Sequence, residues 1–220
     1  MLLCQACAAG WRRYNSCMHI QYLELAPASA ARLSDEIVRV YAGAFAGPPY
    51  LRGKPEALAF ADSFAHHRGR EAFRCLVARD AQDGLLVGFI YGFTCLPGQW
   101  WYDQLAGRMS PELQARWLSG AFELAELAVL PAYQGRGIGG QLHDRLLNGL
   151  PQRTALLSTM QTETNAMALY RKRSWRLILS DFLFAGAVRP YVILGKDLPP
   201  RAPRPAGRPV RYYTQNPFDV

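Results

Sequence analysis

The sequence predicts a mixed α/β domain in which an antiparallel hairpin half is followed by a strand–loop–helix half. Residues 73–79 and 85–94 are two apolar runs joined through Asp83-Gly84, the turn chemistry of a hairpin. From residue 122 the periods alternate: a strand-like run to Leu130 is stopped by Pro131, a glycine-rich turn follows, and Gly137–Leu150 places Ile138, Leu142, Leu146 and Leu147 on one helical face. Half of the 220 residues are hydrophobic and 12% aromatic, which supplies a core and excludes disorder over the whole length. No run approaches the roughly 18–20 apolar residues of a membrane helix, so a spanning protein is not expected.

The elements follow in order. Residues 18–25 read as a strand opening on Met18, and Pro27–Phe45 as a helix carrying Leu33, Ile37, Val40, Tyr41 and Ala44. Gly47-Pro48-Pro49 breaks it. Pro55–His67 is a second helix, with Leu58, Ala61, Phe64 and Ala65 as its apolar stripe, and the hairpin comes next. Between 97 and 120 a loop at Pro97-Gly98, the aromatic cluster Trp100-Trp101-Tyr102 and a short helix from Pro111 to Leu118 interrupt the sheet, where an insertion lining a site would sit. Ala155–Thr159 is a strand, Asn165–Arg173 a helix, and Trp175–Phe182 and Tyr191–Gly195 are closing strands. The folded domain is expected over 18–198. Residues 1–17 read as an N-terminal extension and 199–220 as a Pro- and Arg-rich tail, both expected to be disordered.

The net charge of +8 sits largely in those ends. Arg12 and Arg13 give the extension +2, and four arginines against Asp219 give the tail +3, so 18–198 holds 19 basic and 16 acidic residues, a net of +3. A folded basic face for nucleic acid is therefore not expected, although the tail keeps that reading as a rival. Cys4 and Cys7 have the spacing of half a zinc site, but no second pair at matching spacing accompanies them, so no metal site is assigned. Five cysteines without a secretory leader point to a cytoplasmic protein.

The chemistry is concentrated between the strand at 122–130 and the helix after it. Gln134-Gly135-Arg136-Gly137-Ile138-Gly139-Gly140 is a turn whose glycines leave backbone N–H groups facing outward, completed by the unpaired amides of a helix N-terminus. Such a turn cradles a pyrophosphate. A nucleotide-triphosphate loop would need Lys and a hydroxyl residue after Gly139, and neither is present. A dinucleotide fingerprint is met in spacing by Gly135, Gly137 and Gly140. Its acidic ribose partner, however, would fall at Gln161-Thr162-Glu163, beyond the next strand, and a hairpin precedes where a βαβ unit should begin.

The better match is Gln-x-x-Gly-x-Gly at Gln134–Gly139, preceded by Leu127-Ala128-Val129-Leu130-Pro131 and followed by Asn165-Ala166-Met167-Ala168-Leu169-Tyr170. This pattern resembles the GNAT acetyltransferase superfamily over about 18–198, most strongly over 122–176. The resemblance implies a mixed sheet whose fourth and fifth strands splay apart, with the acyl thioester of acetyl-CoA, the cosubstrate, lying in the gap. It also implies that residues Gln134, Gly135, Arg136, Gly137, Ile138, Gly139 and Gly140 bind the pyrophosphate. The backbone of Leu127, Ala128 and Val129 would pair with the pantetheine arm, and Asn165 would cap its helix or meet a pantetheine amide. Tyr170 would donate to the CoA sulfur.

Acetyl transfer by direct attack needs a neutral amine, and a carboxylate near the acceptor can take its proton. Glu123 and Glu126 are the candidates. In a regular strand residues three apart point to opposite faces, so only one would reach the cleft unless a bulge intervenes. Glu123, four residues before Leu127, resembles the glutamate of histone-type members and is preferred, with Glu126 the alternative. Arg136 and the basic cluster from Arg171 to Arg173 are placed to meet CoA phosphates. Phe45, Tyr50, Trp100, Trp101, Tyr102 and the His66-His67 pair are candidates for an acceptor pocket. The implied function is N-acetyl transfer from acetyl-CoA to an amine the sequence does not identify. The alternative is a non-catalytic acyl-CoA-binding module. No membrane or nucleic-acid partner is expected, and a homodimer is left open.

Overall fold

The computed structural model describes residues 19–199. The expected extension at 1–17, with Cys4 and Cys7, and the expected tail at 199–220 apart from its first residue lie outside the described residues. Seven strands, β1 (Ile20–Leu25), β2 (Arg74–Asp80), β3 (Leu86–Thr94), β4 (Phe122–Val129), β5 (Thr154–Met160), β6 (Arg176–Phe182) and β7 (Tyr191–Asp197), form one mixed sheet in the order β1-β2-β3-β4-β5-β7-β6. The helices are α1 (Pro27–Arg32), α2 (Ser34–Phe45), α3 (Lys54–His67), α4 (Trp100–Ala106), α5 (Pro111–Leu113), α6 (Ile138–Leu147) and α7 (Asn165–Lys172). No described helix is long and apolar enough to cross a membrane.

The hairpin forms as its composition dictates, with β2 and β3 antiparallel and the turn's Asp83 carboxylate accepting from Leu85 N–H at 2.8 Å. The single helix expected over 27–45 is two. Leu33 leaves helical geometry at φ −95°, ψ 11°, and Asp35 and Glu36 then occupy the first turn of α2, where the N-terminal dipole favours acids. The buried stripe of α3 is Ala57, Phe60 and Phe64; of the expected stripe Leu58, Ala61, Phe64 and Ala65, Phe64 is buried, whereas Leu58 is exposed. The aromatic cluster at 100–102 belongs to α4 and not to a loop, and the segment from Gln114 to Leu118 continues α5 as a π-helical turn.

Three cores result. One face of the sheet buries Leu76, Ile90, Phe122 and Leu124 under α6 and α7; the opposite face buries Phe89, Tyr91 and Phe93 under α2 and α3. The third packs α4 and the π-turn on β5–β7 through Trp101, Leu105, Trp117, Leu156 and Ile193. The sheet's central feature is where pairing stops. β4 and β5 run parallel but are paired only at Phe122–Ala155 and Glu123–Leu156, so beyond residue 123 the two strands diverge. This is the expected splay.

Candidate active site

β4 is irregular at the point where the splay begins. Against β3, Leu124 pairs with Gly92 and Glu126 with Tyr91, leaving Ala125 as an extra, unpaired residue. A bulge of this kind shifts the side-chain alternation by one. Glu123 opposite Phe93 and Glu126 opposite Tyr91 therefore project to the same face, the α2–α3 side, where the regular-strand expectation separated them. Gly92 is required here, because a side-chain carbon would overlap the Glu123 carbonyl and the Phe122 ring.

The two carboxyls differ in what they meet. Glu126 lines a cleft in the splay together with Phe45, Tyr50, Arg52, Leu127, Thr159, Ala166, Tyr170 and Tyr191. Glu123 does not line it; it is 5% exposed and one of its oxygens, Oε2, is buried without a hydrogen-bond partner among the described residues. Burial pushes the Glu126 carboxyl up to about 7, opposed by the Arg52 charge and by a hydrogen bond from the Leu127 backbone. Burial pushes Glu123 further, up to about 8, with Arg70 pulling the other way.

Tyr170, on α7, is 5% exposed and packs against Trp175 and His143 at centroid separations of 5.7 and 6.3 Å. Its hydroxyl makes no hydrogen bond among the described residues, and the residue borders the cleft. Burial, with the nearby Glu126 and Tyr50, holds the phenol above its ordinary range, so it keeps its proton throughout the working pH interval. The ring is anchored from behind: Trp175 Nε1 donates to His143 Nε2 at 2.9 Å, and His143 Nδ1 meets Asp144 at 2.8 Å. Burial lowers the His143 pKa, which favours the neutral imidazole that accepts from Trp175.

The turn after β4 has the features an anion cradle needs. Gly137 is the residue before α6, at φ 82°, ψ −3°, a left-handed conformation that favours glycine. The Gln141 N–H bonds back to the Gly137 carbonyl at 3.0 Å, so the amides of Ile138, Gly139 and Gly140 stand at the helix N-terminus ahead of it. A side-chain carbon at Gly137 would meet nothing within 4 Å, so the space above this backbone is open. Gln134 ties the turn to both flanking elements: its Nε2 donates to the Val129 carbonyl at 2.9 Å and its Oε1 accepts from Asn165 at 3.3 Å. Beyond residue 123 the β5-facing edge of Leu127–Val129 is unpaired. An open amide cradle and a strand edge that no other strand pairs suit the pyrophosphate and amide-bearing arm of an acyl-CoA.

Other expectations are redistributed. Asn165 does not cap α7; Thr164 does, its Oγ1 accepting from Met167 N–H at 3.1 Å. Arg171 is held by Glu163 at 2.6 Å, and Arg173 by both oxygens of Asp144 at 2.7 and 2.9 Å. Arg136 lies over the Tyr133 ring, 5.8 Å from its centroid. Of the acceptor-side candidates, Phe45 and Tyr50 line the cleft, whereas Trp100, Trp101, Tyr102, His66 and His67 do not. Trp101 is in the third core, Trp100 stacks on Phe184, and His67 packs on Phe93 with Nδ1 3.1 Å from the Tyr91 hydroxyl. Arg52 was missed because a single arginine in the short loop before α3 carries no local signal.

A mixed sheet splayed beside a glycine turn, with a carboxyl and a phenol lining one cleft in the gap, is the arrangement of the acyl-CoA acyltransferase class. Residues 37–175 match the acetyltransferase (GNAT) family, and the chain belongs to it. Acetyl transfer is the chemistry of this enzyme family, with acetyl-CoA the cosubstrate it implies. The chain is 38% identical over 130 residues to a GCN5-like protein acetyltransferase of Mycobacterium tuberculosis, a match spanning 56% of this chain and 63% of that relative, less than two thirds of its length. Among solved structures it resembles a GNAT-family acetyltransferase from Bacillus cereus (TM-score 0.54, 13% identity, 81% of this chain and 97% of that one). It also resembles Arabidopsis thaliana NAA60 in complex with a bisubstrate analogue (TM-score 0.51, 18% identity, 81% and 98%). At these identities the structural likeness establishes the shared fold.

Proposed function

We propose that this protein transfers the acetyl group of acetyl-CoA to an amine by direct attack on the thioester, with Glu126 as base and Tyr170 as donor to the leaving sulfur. The observation that carries the reading is the pairing of these two groups in one cleft at the mouth of the splay. The acceptor enters from the Phe45–Arg52 side, and the pyrophosphate rests on the amides of residues 134–140. Glu126 takes a proton from the ammonium, the neutral nitrogen forms a bond to the carbonyl carbon, the adduct nitrogen gives up its extra proton to solvent, and the carbon–sulfur bond breaks as the tetrahedral adduct collapses to the amide and the thiolate. A base must reach the acceptor, which favours Glu126, lining the cleft with a carboxyl raised to about 7, over Glu123, which does not line it.

Tyr170 has a particular part in this sequence. A phenol raised above its ordinary range is a weaker acid than a thiol, so full transfer to the thiolate would run uphill. Its contribution is a hydrogen bond to sulfur that strengthens as charge develops, while the proton that neutralises the thiolate comes from solvent or from protonated Glu126. The test is acetyl-CoA turnover followed by thiol release across a panel of amines. Amine-dependent release that falls sharply in Glu126→Gln and little in Glu123→Gln supports the reading. CoA binding in the absence of turnover with any amine would favour the non-catalytic acyl-CoA-binding module.

A further inference from the structure

Among the described residues Arg52 is the one cation lining the cleft, and its setting holds it in place. It stands at the end of the loop joining α2 to α3, where its backbone N–H bonds to the Phe45 carbonyl at 2.9 Å. Its guanidinium lies over three rings, 5.0 Å from the centroid of Phe45, 5.5 Å from Tyr41 and 5.9 Å from Tyr50, and it donates to the Tyr41 hydroxyl. The loop that carries it is held from the far side of the cleft, where Arg189 donates to the Pro49 carbonyl at 3.0 Å. The charge is therefore fixed in place before any acceptor arrives.

What the guanidinium lacks is a directly paired anion, although the Glu126 charge acts on it from a distance. Among the described residues no carboxylate stands within ion-pair distance of it, although Glu126 lines the same cleft. A guanidinium presents five N–H donors in a planar fork, and one phenol oxygen leaves most of them unused. Had Arg52 served only to neutralise Glu126, direct pairing would be the cheaper arrangement. The structure does not pair them directly, and Phe45, Tyr50 and Tyr191 line the same cleft.

We propose that Arg52 anchors a carboxylate carried by the acceptor, so that the acceptors are amino acids, aromatic ones foremost, whose α-amine is delivered to Glu126. This rests on the acetyl-transfer reading above. A carboxylate one carbon from the amine matches a cleft lined by both a fork-shaped cation and a base. Planar, bidentate recognition of carboxylate is what an immobilised arginine does best. The aromatic walls accept the side chain, and edge or face contacts with Phe45, Tyr50 and Tyr191 favour a ring there. Phosphate is the other oxyanion such a fork can hold, and the experiment separates the two.

The experiment compares phenylalanine, phenylalaninamide, phenethylamine and O-phosphoethanolamine as acceptors, with thiol release giving kcat/KM and thermal shift in the presence of CoA giving binding. Phenylalanine should exceed both its amide and phenethylamine by at least about tenfold, the value of one charge-assisted hydrogen bond. In Arg52→Gln that advantage should collapse to about twofold or less with CoA affinity unchanged, and Arg52→Lys, a cation without the fork, should recover part of it. The wild-type ranking stands independently of whether either variant folds. Equal or better use of the amide or of phenethylamine by the wild-type protein overturns the anchor, and so does a preference for O-phosphoethanolamine. If no amine is acetylated but phenylalanine binds in an Arg52-dependent way, acetyl transfer fails and the anchor stands. If neither occurs, the anchor fails as well.

Discussion

Replacing Glu123 by glutamine tests whether the second carboxyl of β4 is kept neutral beneath the cleft. Its ordinary value is 4.5, and burial takes it up to about 8 in the folded chain, Arg70 opposing. Between those values the folded state holds a proton that the unfolded state has released, so stability is highest at the acid end and declines as pH rises toward about 8. The span, about 8 less 4.5, corresponds to about 5 kcal/mol at ~1.4 kcal/mol per pKa unit. Local rearrangement around the charged form trims this, and half of it, about 2.5 kcal/mol, moves the melting midpoint of a chain this size by roughly 5–10 °C. Glu123→Gln keeps the shape of the protonated side chain and cannot ionise. Thermal melts of both proteins at pH 5, 7 and 9 should show the variant gaining on the wild type by that amount between the ends of the range. The titration of Glu126 is common to both and cancels in the difference. Turnover at pH 7 should change by less than about tenfold, because an unionised carboxyl is not the working base. A melting difference that does not vary with pH, or one that shrinks toward pH 9, would refute the neutral assignment.

Three further outcomes are expected. Wild-type kcat/KM should climb with pH and level off above about 7, since Glu126 must be ionised to accept a proton, and Glu126→Gln should lower it about 10²–10⁴-fold in a pH–rate profile that loses this limb. Tyr170→Phe should cost about 10–100-fold in kcat, the worth of a hydrogen bond to a charged sulfur, with CoA affinity by calorimetry and the melting midpoint nearly unchanged; a loss of stability without a kinetic effect would make Tyr170 a packing residue. Gly137→Val places a β-branched residue at φ 82° and fills the open approach to the α6 amides, so CoA affinity should fall at least about tenfold, and tight binding by a folded variant would remove the pyrophosphate from this turn.

Much of the architecture was legible because it is written in local chemistry. Asp83-Gly84 marks a hairpin wherever it joins two apolar runs, and Ile138, Leu142, Leu146 and Leu147 are buried together as their spacing requires. The glycine turn and the asparagine–tyrosine spacing of α7 were equally local. What escaped depends on partners distant in sequence. The break at Leu33 is a tertiary choice between one long helix and two that follow the curved sheet. Trp100-Trp101-Tyr102 looks like a pocket lining until Ser158 is seen accepting from Trp101 Nε1 at 3.2 Å and the helix is found docked on β5. The Ala125 bulge has no signal in β4 itself; its cause lies across the ladder at Gly92. That bulge decides which face Glu123 and Glu126 share, so parity alone could not choose between them. Arg52 acquires meaning only from Tyr41 and Phe45 on the preceding helix and from Glu126 more than seventy positions later.

The divergence of β4 from β5 gives this sheet something sheets ordinarily avoid: two unpaired edges in its own interior. An exposed strand edge is a template for another chain, and proteins usually blunt it with charge, proline or a covering element. Here the edge past Glu123 carries Leu124, Ala125, Leu127, Ala128 and Val129, with Glu126 as its single charge. The backbone proposed to meet the acyl donor is thus also a backbone open to wrongful pairing. Occupancy then becomes a matter of solubility as well as catalysis. A donor at a hundred times its dissociation constant adds about 2.7 kcal/mol to the folded state, and by completing the ladder it should slow amide exchange along 124–129 and suppress association through that edge. A cell that depletes its acetyl donor would leave this protein both idle and adhesive.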